Sequence, residues 1–100
     1  RASAQTLERA VAVDPTSPVT RYLMGEAYRD EGELAKAQAA YRDALRLSPR
    51  LAPAWFGLGT VVLRTGSKAD INAIAENLQR LDPALAQEFA RLRAGGRTAR

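Results

Sequence analysis

The chain has 100 residues, 46% of them hydrophobic, so it is one domain or a piece of a longer array, and wholesale disorder is excluded. It has no cysteine and no histidine, which excludes a disulfide framework, thiolate metal sites and the usual acid–base side chain of neutral pH. The net charge of +4 is local: all 11 Asp+Glu precede Arg91, and of the 15 Lys+Arg only Arg91, Arg93, Arg97 and Arg100 follow residue 90, so the body is balanced and the excess lies at the end.

Residues 2–13 predict a helix with Leu7, Ala10, Val11 and Val13 as its apolar positions, inside a segment 2–14 that ends before Pro15. Ser17 followed by Pro18 reads as an N-cap with proline in the first turn. That second helix runs to about Glu31 and stops at Gly32, a C-terminal glycine. A third helix follows from about Glu33 to Leu47, with Leu34, Ala37, Tyr41, Ala44 and Leu45 at helical spacing, and Pro49 marks its end. The fourth runs from about Ala52 to Thr65 and stops at Gly66. Ser67 and Asp70 form a near capping box for the fifth, which carries Ile71, Ile74, Ala75, Leu78 and Leu81 on one face and ends at Pro83. A closing helix over 84–94 carries Leu85, Phe89 and Leu92. Gly95-Gly96 ends it, and 95–100 reads as a disordered, basic tail.

These elements repeat. Pro15, Pro49 and Pro83 stand 34 residues apart, each after an aliphatic and a short polar residue. Gly25 matches Gly59, Gly32 matches Gly66, Arg46-Leu47 matches Arg80-Leu81, and Ala10, Ala44 and Leu78 form a further column. A fixed period of this size signals one supersecondary unit stacked on copies of itself. The units are 18–51 and 52–85, preceded by the second helix of a unit whose first helix is absent.

With those columns in hand, the chain resembles the tetratricopeptide repeat (TPR) family. The unit 18–51 supplies Met24, Gly25, Tyr28, Gly32, Ala37, Tyr41, Ala44 and Pro49 of its pattern; the unit 52–85 supplies Trp55, Leu58, Gly59, Gly66 and Pro83. The resemblance implies an all-α fold, an α-α superhelix (solenoid) of antiparallel helix pairs with about six helices or fewer, in a single domain over 1–100. It implies a structural core of Met24, Gly25, Tyr28, Ala37, Tyr41, Ala44, Trp55, Leu58, Gly59 and Val62, with Gly25 facing Ala37 so that two helices approach closely. Two departures stand out. Arg21 takes a position where the family often has Trp, which implies looser packing there. In the second unit Ile71, Ala75 and Leu78 exchange large for small with volume roughly kept, so this helix is expected to meet the closing helix with Phe89.

The family's concave face is lined by the first helix of each unit. Helical spacing then points Val19, Tyr22, Glu26 and Arg29, and Pro53, Phe56, Thr60, Leu63 and Arg64, into a groove for a peptide. Tyr22 and Phe56 occupy equivalent positions and are read as its aromatic anchors rather than as core. A subclass of the family grips the C-terminal carboxylate of heat-shock chaperone tails with Lys and Asn. Here those positions carry Tyr22, Glu26 and Thr60, and a Glu repels a carboxylate, which argues against that clamp.

The expected function is therefore a non-catalytic protein-interaction module that binds a peptide or partner helix, with no cofactor and no metal. The alternative is self-assembly, a homodimer or longer array, through the open face of the first helix. Nucleic acid is not an expected partner, because one acid and two arginines do not make a basic groove. Asp30, Glu31 and Glu33 beside Gly32 read as a solvated turn rather than an acid–base pair, and no nucleophile, metal-ligand or phosphate-loop pattern is present. No apolar run of about 20 residues is present to span a membrane. No signal peptide is visible and the chain starts at Arg1, which reads as an excised fragment. The cytoplasm is slightly favoured with the periplasm open, and the preference for Ala and Arg over Lys points to a bacterial source.

Overall fold

Each helix of the fold begins or ends where a named residue forces it to. The computed structural model describes residues 3–98, and in them six helices form in order: α1 Ala4–Val13, α2 Pro18–Asp30, α3 Leu34–Leu47, α4 Ala52–Thr65, α5 Lys68–Leu81 and α6 Pro83–Thr98. No strand occurs among the described residues. Ser3, Ser17 and Ser67 cap α1, α2 and α5, each hydroxyl accepting a backbone N–H at 3.2 Å, from Thr6, Thr20 and Asp70. Each such cap stabilises by about 1 kcal/mol. Gly32 turns the chain out of α2 at φ 80°, a left-handed conformation that a Cβ disfavours. Gly66 ends α4 differently: its φ is −102°, and what requires glycine is space, since a Cβ there would strike the Val62 side chain and lie 3.1 Å from the Val62 carbonyl oxygen.

The three equivalent prolines do not do the same work. Pro15 and Pro49 lie in turns between helices, whereas Pro83 is the first residue of α6. Asp82 makes the difference: its Oδ1 accepts the N–H groups of Ala84 and Leu85 at 3.1 and 3.2 Å, so it caps α6 immediately after closing α5. The far end of α6 also departs from expectation. The helix does not close at Gly95-Gly96 after Ala94 but continues to Thr98. Mid-helix glycine costs only about 1 kcal/mol against alanine, and Gly95 does not take the left-handed turn that ends α2. Ala2, expected in the first helix, and the last two residues of the expected tail lie outside the described residues.

Packing follows the chain: each helix lies against the next. In addition α4 touches both α2 and α6, while α1 and α3, and α3 and α5, do not approach each other. The even-numbered helices thus form a tight inner layer and the odd-numbered ones are splayed outside it. This is an all-α solenoid of paired helices, curved toward the α2–α4–α6 side.

Alanines bring the layers together. Ala37, Ala40, Ala44 and Ala54 are buried, leaving room for the fully buried Tyr41 ring. Where Gly25 was expected to face Ala37, the atoms nearest its Cβ position belong to Tyr41. A Cβ built on Gly25 would lie 2.8 Å from the ring, and one on Gly57 would strike the same edge nearer the hydroxyl, so the ring is packed against α2 and α4 together. One unit later the same slot opens at Gly59, but Ala75 stands where the aromatic would be. Phe89 of α6 fills it, fully buried, with a ring carbon 2.5 Å from the Cβ position of Gly59. Burial of such a ring stabilises by about 1.5–3 kcal/mol. Leu85 is half-buried, while Leu92, expected on the same face, is 40% exposed.

Candidate functional site

On α2 and α4, the helical period that buries Gly25, Tyr28, Leu58 and Val62 leaves a second stripe more exposed, the one expected to line the groove. Val19 is 52% exposed, Arg64 and Pro53 are exposed, and Tyr22, Glu26, Arg29, Phe56, Thr60 and Leu63 are half-buried. Tyr22 and Phe56, expected as groove anchors rather than core, are half-buried and pack against the core cluster. Tyr22 meets Tyr41 with ring centroids 6.1 Å apart, and Phe56 meets Phe89 edge-on at 6.4 Å. The two aromatic pairs are equivalent, with Phe89 in the role of Tyr41.

The polar members of the stripe are joined into one chain of hydrogen bonds. The Tyr41 hydroxyl donates to Glu26 Oε2 at 2.5 Å. Arg29 donates to Glu26 Oε1 at 3.2 Å and to Thr60 Oγ1 at 2.8 Å, and the Thr60 hydroxyl donates to the Gly57 carbonyl at 2.7 Å. The chain links α3, α2 and α4. Its charges face each other, so the surface between Tyr22 and Phe56 is locally neutral and its donors are largely engaged. Burial, and then the bond to Glu26, pushes the Tyr41 hydroxyl pKa far up; burial, and then Glu26, raises that of Tyr22.

Three placements correct the sequence reading of the core. Trp55 is half-buried rather than enclosed: it borders a cleft of about 320 Å³ with Arg42, Leu45, Arg46 and Leu58, and its indole N–H donates to the Pro49 carbonyl at 2.8 Å. Met24 is also half-buried, packed against the core cluster rather than enclosed in it. Arg21 does not loosen the first helix pair. It pairs with Asp43 of α3 at 3.0 Å and donates to the Pro15 carbonyl at 3.4 Å. Arg21 and Trp55 are repeat equivalents, and both tie an inner helix to the carbonyl of the proline before it.

Sequence reasoning also missed two participants. Gly57 had a signal, since a glycine inside a helix costs stability and marks close approach. The hydroxyl of Tyr41 had none, because spacing locates a ring but not the carboxylate it reaches.

Outside this face, Tyr28 ties α1 to α2 through its hydroxyl, which donates to Glu8, and that bond with burial pushes its pKa up to about 12. At the same end Val13 is 86% and Leu23 44% exposed. Among the described residues no group of acidic side chains is arranged to hold a metal, and no helix is long and apolar enough to cross a membrane.

Residues 25–66 match the family model described as TPR repeat. The chain is 37% identical over 60 residues to the anaphase-promoting complex subunit 3 of Schizosaccharomyces pombe, an overlap of 60% of this chain and 9% of that protein. It is 40% identical over 60 residues to the cell division cycle protein 27 homolog of Caenorhabditis elegans, 60% of this chain and 8% of that one. It is 38% identical over 61 residues to the cellulose synthase 2 operon protein C of Komagataeibacter xylinus, 61% of this chain and 5% of that one. The chain therefore matches less than a tenth of the length of these relatives.

Proposed function

We propose that this chain, which belongs to the tetratricopeptide repeat family, is a non-catalytic interaction scaffold whose α2–α4 face holds a peptide or helix of a protein partner. The observation that carries the reading is the stripe itself: half-exposed Tyr22 and Phe56 one repeat apart, flanked by Val19 and Leu63, with Glu26, Arg29 and Thr60 already bonded to one another. Rigid aromatic rings with fixed neighbours offer contact area at low entropic cost. The engaged polar groups supply register rather than charge. An apolar-anchored segment suits such a face, and a free carboxylate at Glu26 does not. One relative is named as a subunit of a complex, which fits a role in holding proteins together.

The test is selection of a phage-displayed random peptide library on the intact chain. Recovered peptides should lose binding to Val19→Asp, an exposed change, and to Tyr22→Ala, with the circular dichroism melt of Val19→Asp unchanged. Peptides that bind both variants as tightly as the original chain would refute the groove.

A second reading is self-association at the α1 end, favoured by the exposure of Val13 and Leu23. Light scattering that finds a dimer abolished by Val13→Asp supports it; a monomer at millimolar concentration overturns it.

A further inference from the structure

At the opposite end of the solenoid a cleft of about 540 Å³ lies between the end of α4, the start of α5 and the second half of α6. Its volume is within the usual range of ligand sites. Leu63, Ile71, Ala90 and Leu92 give it an apolar lining, and Leu92 is 40% exposed there rather than packed in the core. Lys68 and Arg93 also line it, and no lining residue is acidic. Arg93 is held in place by Asn72, whose Oδ1 accepts from its Nη2 at 3.2 Å. Among the described residues neither Lys68 nor Arg93 is in an ion pair, whereas Arg21, Arg29, Arg46 and Arg91 each have a carboxylate partner. Two cations without a carboxylate partner thus stand at this cleft, Lys68 at the start of α5 and Arg93 on α6, the helix that supplies its exposed leucine.

We infer that this cleft is a docking subsite for an acidic amphipathic peptide segment: an aliphatic or aromatic side chain enters between Leu63, Ile71 and Leu92, and a neighbouring carboxylate meets Lys68 and Arg93. The inference rests on the scaffold reading above and names the chemistry of one partner. Charge complementarity selects the occupant. A basic segment would face two cations with no acid to offset them, and a purely acidic one would leave the apolar lining wet.

The probe is a fluorescein-labelled dodecapeptide of repeated Glu-Leu-Asp, acetylated and amidated so that it has no terminal carboxylate. Two controls carry Lys for the acids or Ala for Leu, and binding to residues 1–100 is read by fluorescence anisotropy. The acidic leucine peptide should bind, the controls should not, and high salt should weaken binding. Lys68→Glu with Arg93→Glu should weaken it about tenfold, as expected of two exposed ion pairs. Leu92→Asp, also at an exposed position, should abolish it, and bound peptide should shift the methyl resonances of Leu63, Ile71 and Leu92. Equal binding of the lysine peptide, or methyl shifts confined to Val19 and Leu23, overturns the subsite. So does light scattering that shows the cleft covered by a second copy in a dimer broken by Leu92→Asp. Failure here with library peptides still lost on Tyr22→Ala leaves the scaffold reading standing; loss of both removes both.

Discussion

The Phe89 ring lies against Gly59 as the Tyr41 ring lies against Gly25, although one ring comes from the closing helix and the other from the partner helix of the unit. The second unit has no aromatic of its own at Ala75, and the fold supplies one from elsewhere. Gly59→Ala should therefore destabilise despite the better helix propensity of alanine. Its Cβ would sit 2.5 Å from a ring carbon that is fully enclosed, and such overpacking costs about 1–3 kcal/mol. The thermal midpoint should fall, and Phe89→Leu added to Gly59→Ala should recover part of the loss. An unchanged midpoint for Gly59→Ala would contradict the assignment.

Tyr41 carries two separable contributions. Tyr41→Phe removes only the hydroxyl that donates to Glu26, for a loss of about 0.5–1.5 kcal/mol. Tyr41→Ala also empties the slot between Gly25 and Gly57 and should cost about 3–5 kcal/mol, as large-to-small changes of buried rings do. Urea unfolding of the two variants measures the difference. Equal losses would mean that the ring is not packed there.

Alkaline pH should unfasten α1. The Tyr28 hydroxyl has its pKa raised from 10.0 to about 12, chiefly because it donates to Glu8. A pKa raised by folding contributes stability that is complete below the unfolded value and is lost as pH rises through the folded one. Stability should therefore hold up to about pH 10 and decline between about 10 and 12, with tyrosinate absorbance rising in the same window. Tyr41, raised in the same direction, adds to the decline. Tyr28→Phe should flatten part of it, and an identical pH profile in that variant would exclude the Tyr28–Glu8 bond as its cause.

Arg21 and Trp55 predict matched behaviour. Trp55→Phe keeps an aromatic ring but removes the donor to the Pro49 carbonyl, for about 0.5–1.5 kcal/mol. Arg21→Leu removes the donor to the Pro15 carbonyl and a partner of Asp43 and should cost at least as much. Arg21→Trp, which installs the other unit's residue, should be milder than Arg21→Leu. Differential scanning calorimetry of the three variants decides, and an Arg21→Trp variant weaker than Arg21→Leu would show that the two positions are not equivalent.

Much of the fold was legible because it is written locally. Serine caps, the glycine after α2 and the apolar spacing of each helix act within a few residues, so the boundaries of α2 to α5 follow from sequence to within a residue or two. The end of α6 did not, because glycine weakens a helix by too little to stop it unless the backbone turns left-handed. The stripe of Val19, Tyr22, Glu26, Arg29, Phe56, Thr60 and Leu63 also followed from helical spacing, whereas its hydrogen bonds join three helices and have no local signature.

By itself the sequence determined a helical repeat and its phase, since both rest on spacing along one chain: prolines, glycines and small residues in register. Only the tertiary structure decided what meets what. It put the Tyr41 ring against Gly25, brought Phe89 into the slot left by Ala75, left Trp55 half-open and Leu92 in a basic cleft. Such pairings depend on how much volume two distant helices leave between them, and that volume exists only once the helices have packed.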